Sequence, residues 1–211
     1  MSDFTIFGFD ASTYVRSARM MCEEKGVSYD LQPVDLGSPD HLKLHPFGKI
    51  PSVRHGDFSL YETIAIGRYV DRVFDGPALQ PHDPKAAARM DQWLSATEDY
   101  LYDVLIRQIV WQRLVVPSRG GAADEAMIAA AVPNMVRHLD ILEANLDGRS
   151  YLAGEDVSLA DLVLLPIMSY LRMTPEGGPE IAKRANVSAW YDRMAERPSY
   201  AATLPNREEA A

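Results

Sequence analysis

One cysteine, Cys22, is all that the 211 residues carry, so neither an intramolecular disulfide nor a Cys-x-x-Cys redox pair can be built. Apolar runs are short, and none approaches the roughly 18 residues that a membrane-spanning helix needs. The opening residues, Met1-Ser2-Asp3-Phe4-Thr5-Ile6-Phe7, lack the basic-then-apolar order of a secretory signal. Positive charge is scarce: 21 Lys and Arg against 30 Asp and Glu leave a formal net charge of -9, and the basic residues are scattered. Phosphate backbones are held by clustered cations that release counterions, so nucleic acid is not an expected partner. Internal repeats and low-complexity tracts are missing. Together these absences predict a cytoplasmic globular protein that touches neither membrane nor nucleic acid.

What is present changes rhythm along the chain. Phe4-Thr5-Ile6-Phe7 reads as a strand, followed by a helix from about Tyr14 to Lys25 with Val15, Ala18 and Cys22 at helical spacing. Gly26 stands where a left-handed helix cap is expected. Tyr29 and Leu31 alternate with polar neighbours as a second strand. Pro51 to Val53 and Phe58 to Leu60, around His55-Gly56-Asp57, read as a hairpin. A helix from Thr63 then shows Ile66, Tyr69, Val70 and Val73 on one face. The order strand, helix, strand, loop, strand, strand, helix predicts an α/β thioredoxin-like N-terminal domain over 1–75.

Residues 76–84 hold three prolines and one glycine and read as a linker. Beyond it, over 85–211, strand signals vanish and an all-α C-terminal domain is expected. Met90, Leu94, Thr97, Leu101 and Val104 mark one long helix. Ile128, Val132, Met135, Leu139, Leu142 and Leu146 mark a second, in which Pro133 predicts a kink or break. Ser158 and Asp161 have capping-box spacing ahead of a further helix, and Ser188 to Arg197, with Trp190 and Met194 inward, predicts the last.

Several of these segments resemble one known family. Gly8-Phe9-Asp10-Ala11-Ser12-Thr13 and Glu23-Glu24-Lys25-Gly26-Val27-Ser28-Tyr29 resemble the first strand and helix of cytosolic glutathione S-transferases. His45-Pro46-Phe47-Gly48-Lys49-Ile50-Pro51 resembles their cis-proline loop, and Leu60-Tyr61-Glu62-Thr63-Ile64-Ala65-Ile66 resembles the turn that grips the γ-glutamyl end of glutathione. Ser158 to Asp161 resembles the family's capping box, and Ala189-Trp190-Tyr191 through Arg197-Pro198-Ser199-Tyr200 its C-terminal helix. The serine after the first strand is most similar to the phi and theta types and their bacterial relatives. Three positions depart from the pattern: Asp10 stands for a proline, Thr63 for a serine and His45 for an asparagine.

The resemblance implies that glutathione is the co-substrate, that no metal is needed, and that its thiolate attacks a small apolar electrophile. A free thiol with pKa about 8.5 is only a few per cent ionised at pH 7. Lowering that pKa by about 2 units stabilises the thiolate by about 2.7 kcal/mol, within reach of one or two hydrogen bonds to a charged acceptor. Ser12, just ahead of a helix, is the implied donor; Thr13 and Tyr14 are rivals, and a plain helix N-cap is the structural alternative. Ile50 with a cis Pro51 would pair with the cysteinyl backbone, Glu62 would take the α-amino group, and Thr63 would take the γ-glutamyl carboxylate. Lys49 would meet the glycyl carboxylate. Phe47 is implied as a dimer contact, giving a homodimer. Tyr100, Tyr102 and Trp111, with Arg107 and Arg113, are candidates for the electrophile site.

Other chemistry finds less support. His41 and His45 are four apart but lack a His-Glu-x-x-His pattern and a third ligand. No Gly-x-Ser-x-Gly elbow exists, and Gly120-Gly121 alone is not a nucleotide loop. Cys22 falls on the inward face of its helix. A glutathione-dependent isomerase, peroxidase or dehalogenase, and a non-catalytic glutathione-binding module of the same fold, remain open alternatives at this point.

Overall fold

A computed structural model of the chain describes residues 3–206. The chain groups into two compact units, Met1–Gln80 with Glu196–Ala211, and Pro81–Ala195. The division thus falls inside the proline-rich segment, and the final helix returns to the first unit instead of staying with the helical half.

The first unit is built on a four-stranded sheet in the order β2-β1-β3-β4. Its strands are β1 (Phe4–Phe7), β2 (Asp30–Gln32), β3 (Ser52–His55) and β4 (Phe58–Tyr61). β2 runs parallel to β1, which requires the crossover helix α1 (Thr13–Lys25); β3 and β4 are an antiparallel hairpin. Helix α3 (Thr63–Val73) follows β4. Phe4, Ile6, Val15, Ala18, Cys22, Val53, Ile66 and Val70 form the core between sheet and helices. Val73, read as part of the inward face of α3, is 48% exposed, because it is the last helical residue and solvent covers it. Gly26 caps α1 at φ 67, donating its N–H to Cys22 and Glu23 carbonyls.

Two segments are more ordered than their composition suggests. The stretch read as a loop before the hairpin contains α2 (Pro39–Leu44), capped by Ser38, whose hydroxyl accepts from the His41 N–H. The stretch read as a linker is pinned to the first unit. Leu79 is fully buried and its N–H donates to Asp71 at 2.8 Å, while the Gln80 amide donates to the same carboxylate at 2.9 Å. Lys25 Nζ bridges Asp71 at 3.1 Å and the carbonyls of Gly76 and Pro77. Burial raises the Asp71 pKa, but these donors outweigh it and hold the carboxyl below its usual range. Short helix α10 (Pro198–Ala202) docks on α1: Arg16 donates to the Tyr200 carbonyl, and Arg19 to those of Ala202 and Thr203.

The second unit is helical. One continuous rod starts as α4 (Pro84–Ala96), passes through π-helical turns at Thr97–Leu101 and Asp103–Val115, and ends as α5 (Val116–Ser118). There the Tyr102 N–H donates to the Thr97 carbonyl and the Val116 N–H to that of Trp111, five residues back. Met90, Leu94, Thr97, Leu101 and Val104 are all buried. Helix α6 (Glu125–Leu146) runs through Pro133 without a break, and Ala131, not Val132, faces inward. Helix α7 (Leu159–Arg172) is buried on nearly all sides. Helices α8 (Gly177–Ala182) and α9 (Ala185–Ala195) complete the unit; α9 begins three residues before the expected Ser188. Asp161 is the polar centre: it accepts from the Leu152 N–H, the Trp190 Nε1–H, and both the N–H and hydroxyl of Ser158, at 2.8–2.9 Å.

Lys25 and Asp71 have side chains only 3% and 8% exposed, so removing the carboxylate strands a buried ammonium. Asp71→Ala is expected to lower stability by about 3–5 kcal/mol in urea unfolding. A loss below about 1 kcal/mol would show that the segment 76–80 is held by other means.

Candidate functional site

The register of the sheet brings three chain segments to one end. Phe7, the last residue of β1, is opposite Ser52, the first of β3, and Ser52 is opposite Tyr61, the last of β4. The segment leading to Ser12, the Ile50–Pro51 peptide and the Glu62–Thr63 step therefore emerge side by side. Adjacent strands are about 4.8 Å apart, so this row spans about 10 Å. An extended tripeptide has about the same length.

Gly8 permits the close approach at one side of the row. A Cβ there would lie 2.4 Å from Val15 Cγ2 and 3.4 Å from Ile50 Cβ, so a side chain would push α1 and the proline loop apart. The Ile50–Pro51 bond is cis. Its loop is fastened by His41, whose Nδ1 accepts from the Gly37 N–H at 3.0 Å and whose Nε2 donates to the Lys49 carbonyl at 2.9 Å. That pattern fixes the neutral tautomer with its proton on Nε2. His41 is 2% exposed. His41 therefore acts as a loop brace, a role that spacing alone did not reveal.

Two helices aim their N-termini at this end. At α1, Ser12 is the N-cap, and its Oγ accepts from the Val15 N–H at 3.5 Å, a long contact. The hydroxyl proton has no acceptor among the described residues and stays available to a ligand. At α3, Glu62 occupies the N-cap position but its side chain caps nothing. Its backbone stands at φ 72, ψ 117, the one non-glycine residue with positive φ among those described. That conformation is sparsely populated for residues with a Cβ and costs about 1–3 kcal/mol. The first amides of α3 are thus left open behind buried Thr63, while the Glu62 carboxylate is exposed. Two helix N-termini at one end of the sheet are suited to a ligand with two anionic groups, and the Glu62 carboxylate adds a place for a cation.

Lys49 is exposed beside this row. Phe47 is 71% exposed, with only edge contacts to His45 and Tyr61 at 6.4 and 6.1 Å between centroids. Tyr14 is half-buried and Thr13 buried at the first turn of α1. Cys22 is fully buried, and burial, helped by Glu23, pushes its thiol up to about 12, which leaves it inert. In the second unit, Tyr100, Tyr102 and Trp111 are spread along the π-helical part of the rod. Tyr100 is 62% and Trp111 42% exposed, Tyr102 is half-buried, and Arg107 and Arg119 lie over the Tyr102 and Trp111 rings. Arg113 is bound to Glu125 and Glu176 and is occupied structurally. Among the described residues no group of three or more His, Cys, Asp or Glu could hold a metal ion. A cavity of about 320 Å³ lies at the opposite end of the sheet, near Phe4, Lys25 and His55. Its basic groups are satisfied, Lys25 by Asp71 and His55 by Tyr69, so it presents no unmet chemistry.

Known proteins are similar to this chain in sequence and fold. The family model described as "Glutathione S-transferase, N-terminal domain" matches residues 6–78, and "Glutathione S-transferase, C-terminal domain" matches residues 101–198. Glutathione S-transferase 3 of Zea mays is 34% identical over 97% of this chain and 94% of its own. The solved structure of glutathione S-transferase III in apo form superposes with a TM-score of 0.88, 33% identity, and coverage of 96% and 97%. A theta-class glutathione S-transferase from Xanthomonas axonopodis pv. citri, solved with glutathione bound, gives 0.86, 30% identity, and coverage of 98% and 99%.

His45, which ends α2, has a buried Nδ1 with no partner and stacks on Tyr61 at 4.8 Å. Burial pushes its pKa below 6.5, with Glu62 opposing and His41 and Lys49 reinforcing. The folded state therefore binds this proton less readily than the unfolded chain. The linked stability is complete above about pH 6.5 and erodes as pH falls from there toward the lower folded value. His45→Asn is expected to flatten the stability profile between about pH 7.5 and 5.5, relative to the unsubstituted protein. Parallel urea profiles for the two would assign that slope elsewhere, His138 being the other histidine pushed down by burial.

Proposed function

Because the chain belongs to the glutathione S-transferase family, we propose that it joins glutathione to a small apolar electrophile at the end of the sheet described above. The observation that carries this reading is the pair of open helix N-termini on either side of the cis Ile50–Pro51 peptide. Glutathione is a tripeptide of matching length, with an anionic sulfur near its middle and a carboxylate at its γ-glutamyl end.

In this reading the Ser12 hydroxyl donates to the sulfur while its oxygen continues to accept from Val15. The backbone of Ile50 pairs with the cysteinyl segment. The amides of α3 and the Thr63 hydroxyl take the γ-glutamyl carboxylate, the Glu62 carboxylate takes the α-amino group, and Lys49 takes the glycyl carboxylate. The thiolate lone pair forms the new carbon–sulfur bond and the departing group leaves with its electron pair. Ser12 acts as a donor and not as a base, so no histidine is required beside it. Thr13 and Tyr14 are the alternative donors.

Tyr100, Tyr102 and Trp111 offer flat apolar surface within the second unit, and π-helical turns often coincide with ligand sites. Phe47, an exposed aromatic in the loop ahead of the cis proline, supports a homodimer in which the partner covers it. No described helix is long and apolar enough to cross a membrane, and the single buried thiol suits a reducing compartment, which supports a cytoplasmic location.

Ser12→Ala is expected to raise the thiol pKa of bound glutathione by about one unit or more, with affinity within about twofold. Ultraviolet titration of the bound thiolate measures it; an unmoved pKa would transfer the donor role to Thr13 or Tyr14. Glu62→Gly relieves the positive φ and removes the carboxylate. It should hold or raise the melting temperature while weakening glutathione about tenfold or more by calorimetry. Undiminished affinity would remove Glu62 from the site.

A further inference from the structure

Three cationic side chains are buried among the described residues: Arg16, Lys25 and Arg184. Lys25 holds Asp71 at 3.1 Å, and Arg184 holds Asp140 at 2.6 Å and Glu180 at 3.0 Å. Arg16, only 2% exposed, holds no carboxylate among the described residues. Its Nη2 donates to the Tyr200 carbonyl at 3.3 Å, its guanidinium lies 4.4 Å from the Tyr200 ring centroid, and its buried Nε has no partner. A guanidinium does not escape burial by losing its proton, so an unpaired one is costly and calls for a compensating anion.

Nearby carboxylates are engaged elsewhere. On α1, Glu24 is bound by Arg197 and Ser199, and Glu23 accepts from Tyr29. On α3, Asp71 is taken by Lys25 and by the 79–80 segment. In the loop before α1, Asp10 accepts from the Asn206 N–H at 2.7 Å. Among the described residues of α1 and α3, Arg19 donates to carbonyls of 202 and 203, and Arg68 to Gln80. Helix α10 contributes no charged side chain.

Arg16 stands one helical turn after Ser12, to whose carbonyl its own N–H donates at 2.9 Å. Helical side chains lean toward the N-terminus, which here is the end that carries Ser12. We propose that Arg16 supplies a buried positive charge that makes the bound glutathione thiol more acidic, acting through space from one helical turn beyond Ser12. The inference rests on the glutathione reading above. Arg16 touches neither substrate; it biases the thiol toward the thiolate by a nearby opposite charge in a medium that screens poorly.

The test is ultraviolet titration of glutathione bound to the intact protein, with melting temperature followed in parallel. Arg16→Met is expected to raise the bound thiol pKa by about half a unit to one unit, and Arg16→Lys to return most of that shift. A lowered melting temperature with an unmoved pKa would overturn the proposal and leave Arg16 as a brace for α10. Should Arg16→Met not fold, the unsubstituted protein still decides. A buried charge is little screened, so the depressed pKa should persist in about 1 M salt, and relaxation toward the free value would overturn the proposal. If the unsubstituted protein binds glutathione without ionising it, or does not bind it, the glutathione reading itself fails, an outcome distinct from a failure of Arg16 alone.

Discussion

The alignment of Phe7, Ser52 and Tyr61 across three strands is the constraint on which the rest of this molecule depends. Each residue ends or begins its strand at the same level of the sheet, so the segments that carry Ser12, Ile50–Pro51 and Glu62–Thr63 have no choice but to lie together. A one-residue slip of the hairpin would reverse the facing of every side chain on it, taking Val53 out of the core. It would also displace the N-terminus of α3 by a residue's rise from that of α1. The apolar core therefore fixes the site's geometry as a by-product of fixing the sheet. Gly8 then sets the remaining separation, because its missing Cβ lets Val15 and Ile50 close over the end of β1.

Much of this was legible in the amino-acid order, and the exceptions have physical reasons. Strands and long helices announce themselves through periodicity, and α1 and the hairpin stand within a residue or two of where alternation puts them. Helix α2 is too short to show a period; it exists because Ser38 caps it and His41 ties its first turn to Gly37 and Lys49. Prolines at 77 and 81 mark the absence of regular structure, yet irregular is not loose: Leu79 is buried and Asp71 gathers the segment's donors. The positive φ of Glu62 leaves no trace in a Tyr-Glu-Thr sequence, since nothing local demands it. The docking of α10 on α1 was equally hidden, because it rests on arginine-to-carbonyl bonds between residues more than 180 apart in sequence.

The two readings of Ser12, helix cap and thiol donor, are not rivals once the hydroxyl is considered atom by atom. Its oxygen accepts from Val15 through a lone pair, and its proton remains to be given. The cap bond is long at 3.5 Å, so the hydroxyl is held in place without being saturated. Glu62 shows the complementary arrangement. Its side chain leaves the N-terminus of α3 uncapped and its backbone is strained, two local costs that a bound carboxylate and ammonium would offset. Both helix ends thus satisfy less of their own hydrogen bonding than their folds could permit, and what they withhold matches the chemistry of one peptide ligand.

The ionisable groups of the first unit divide along the same line. Cys22, its own thiol, is driven far from ionisation by burial. His41 is held as a loop brace by its two hydrogen bonds, and His45 is pushed toward neutrality by its surroundings. What remains for the position proposed for the sulfur is a hydroxyl and backbone amides, with the guanidinium proposed to act from a helical turn away, none of which changes charge near neutral pH. A nucleophile activated by such groups needs no proton acceptor in the protein: the surroundings make the thiolate stable, and its proton goes to water. In the proposed reading, the electrostatic surroundings of the sulfur are therefore fixed by the fold before any substrate arrives.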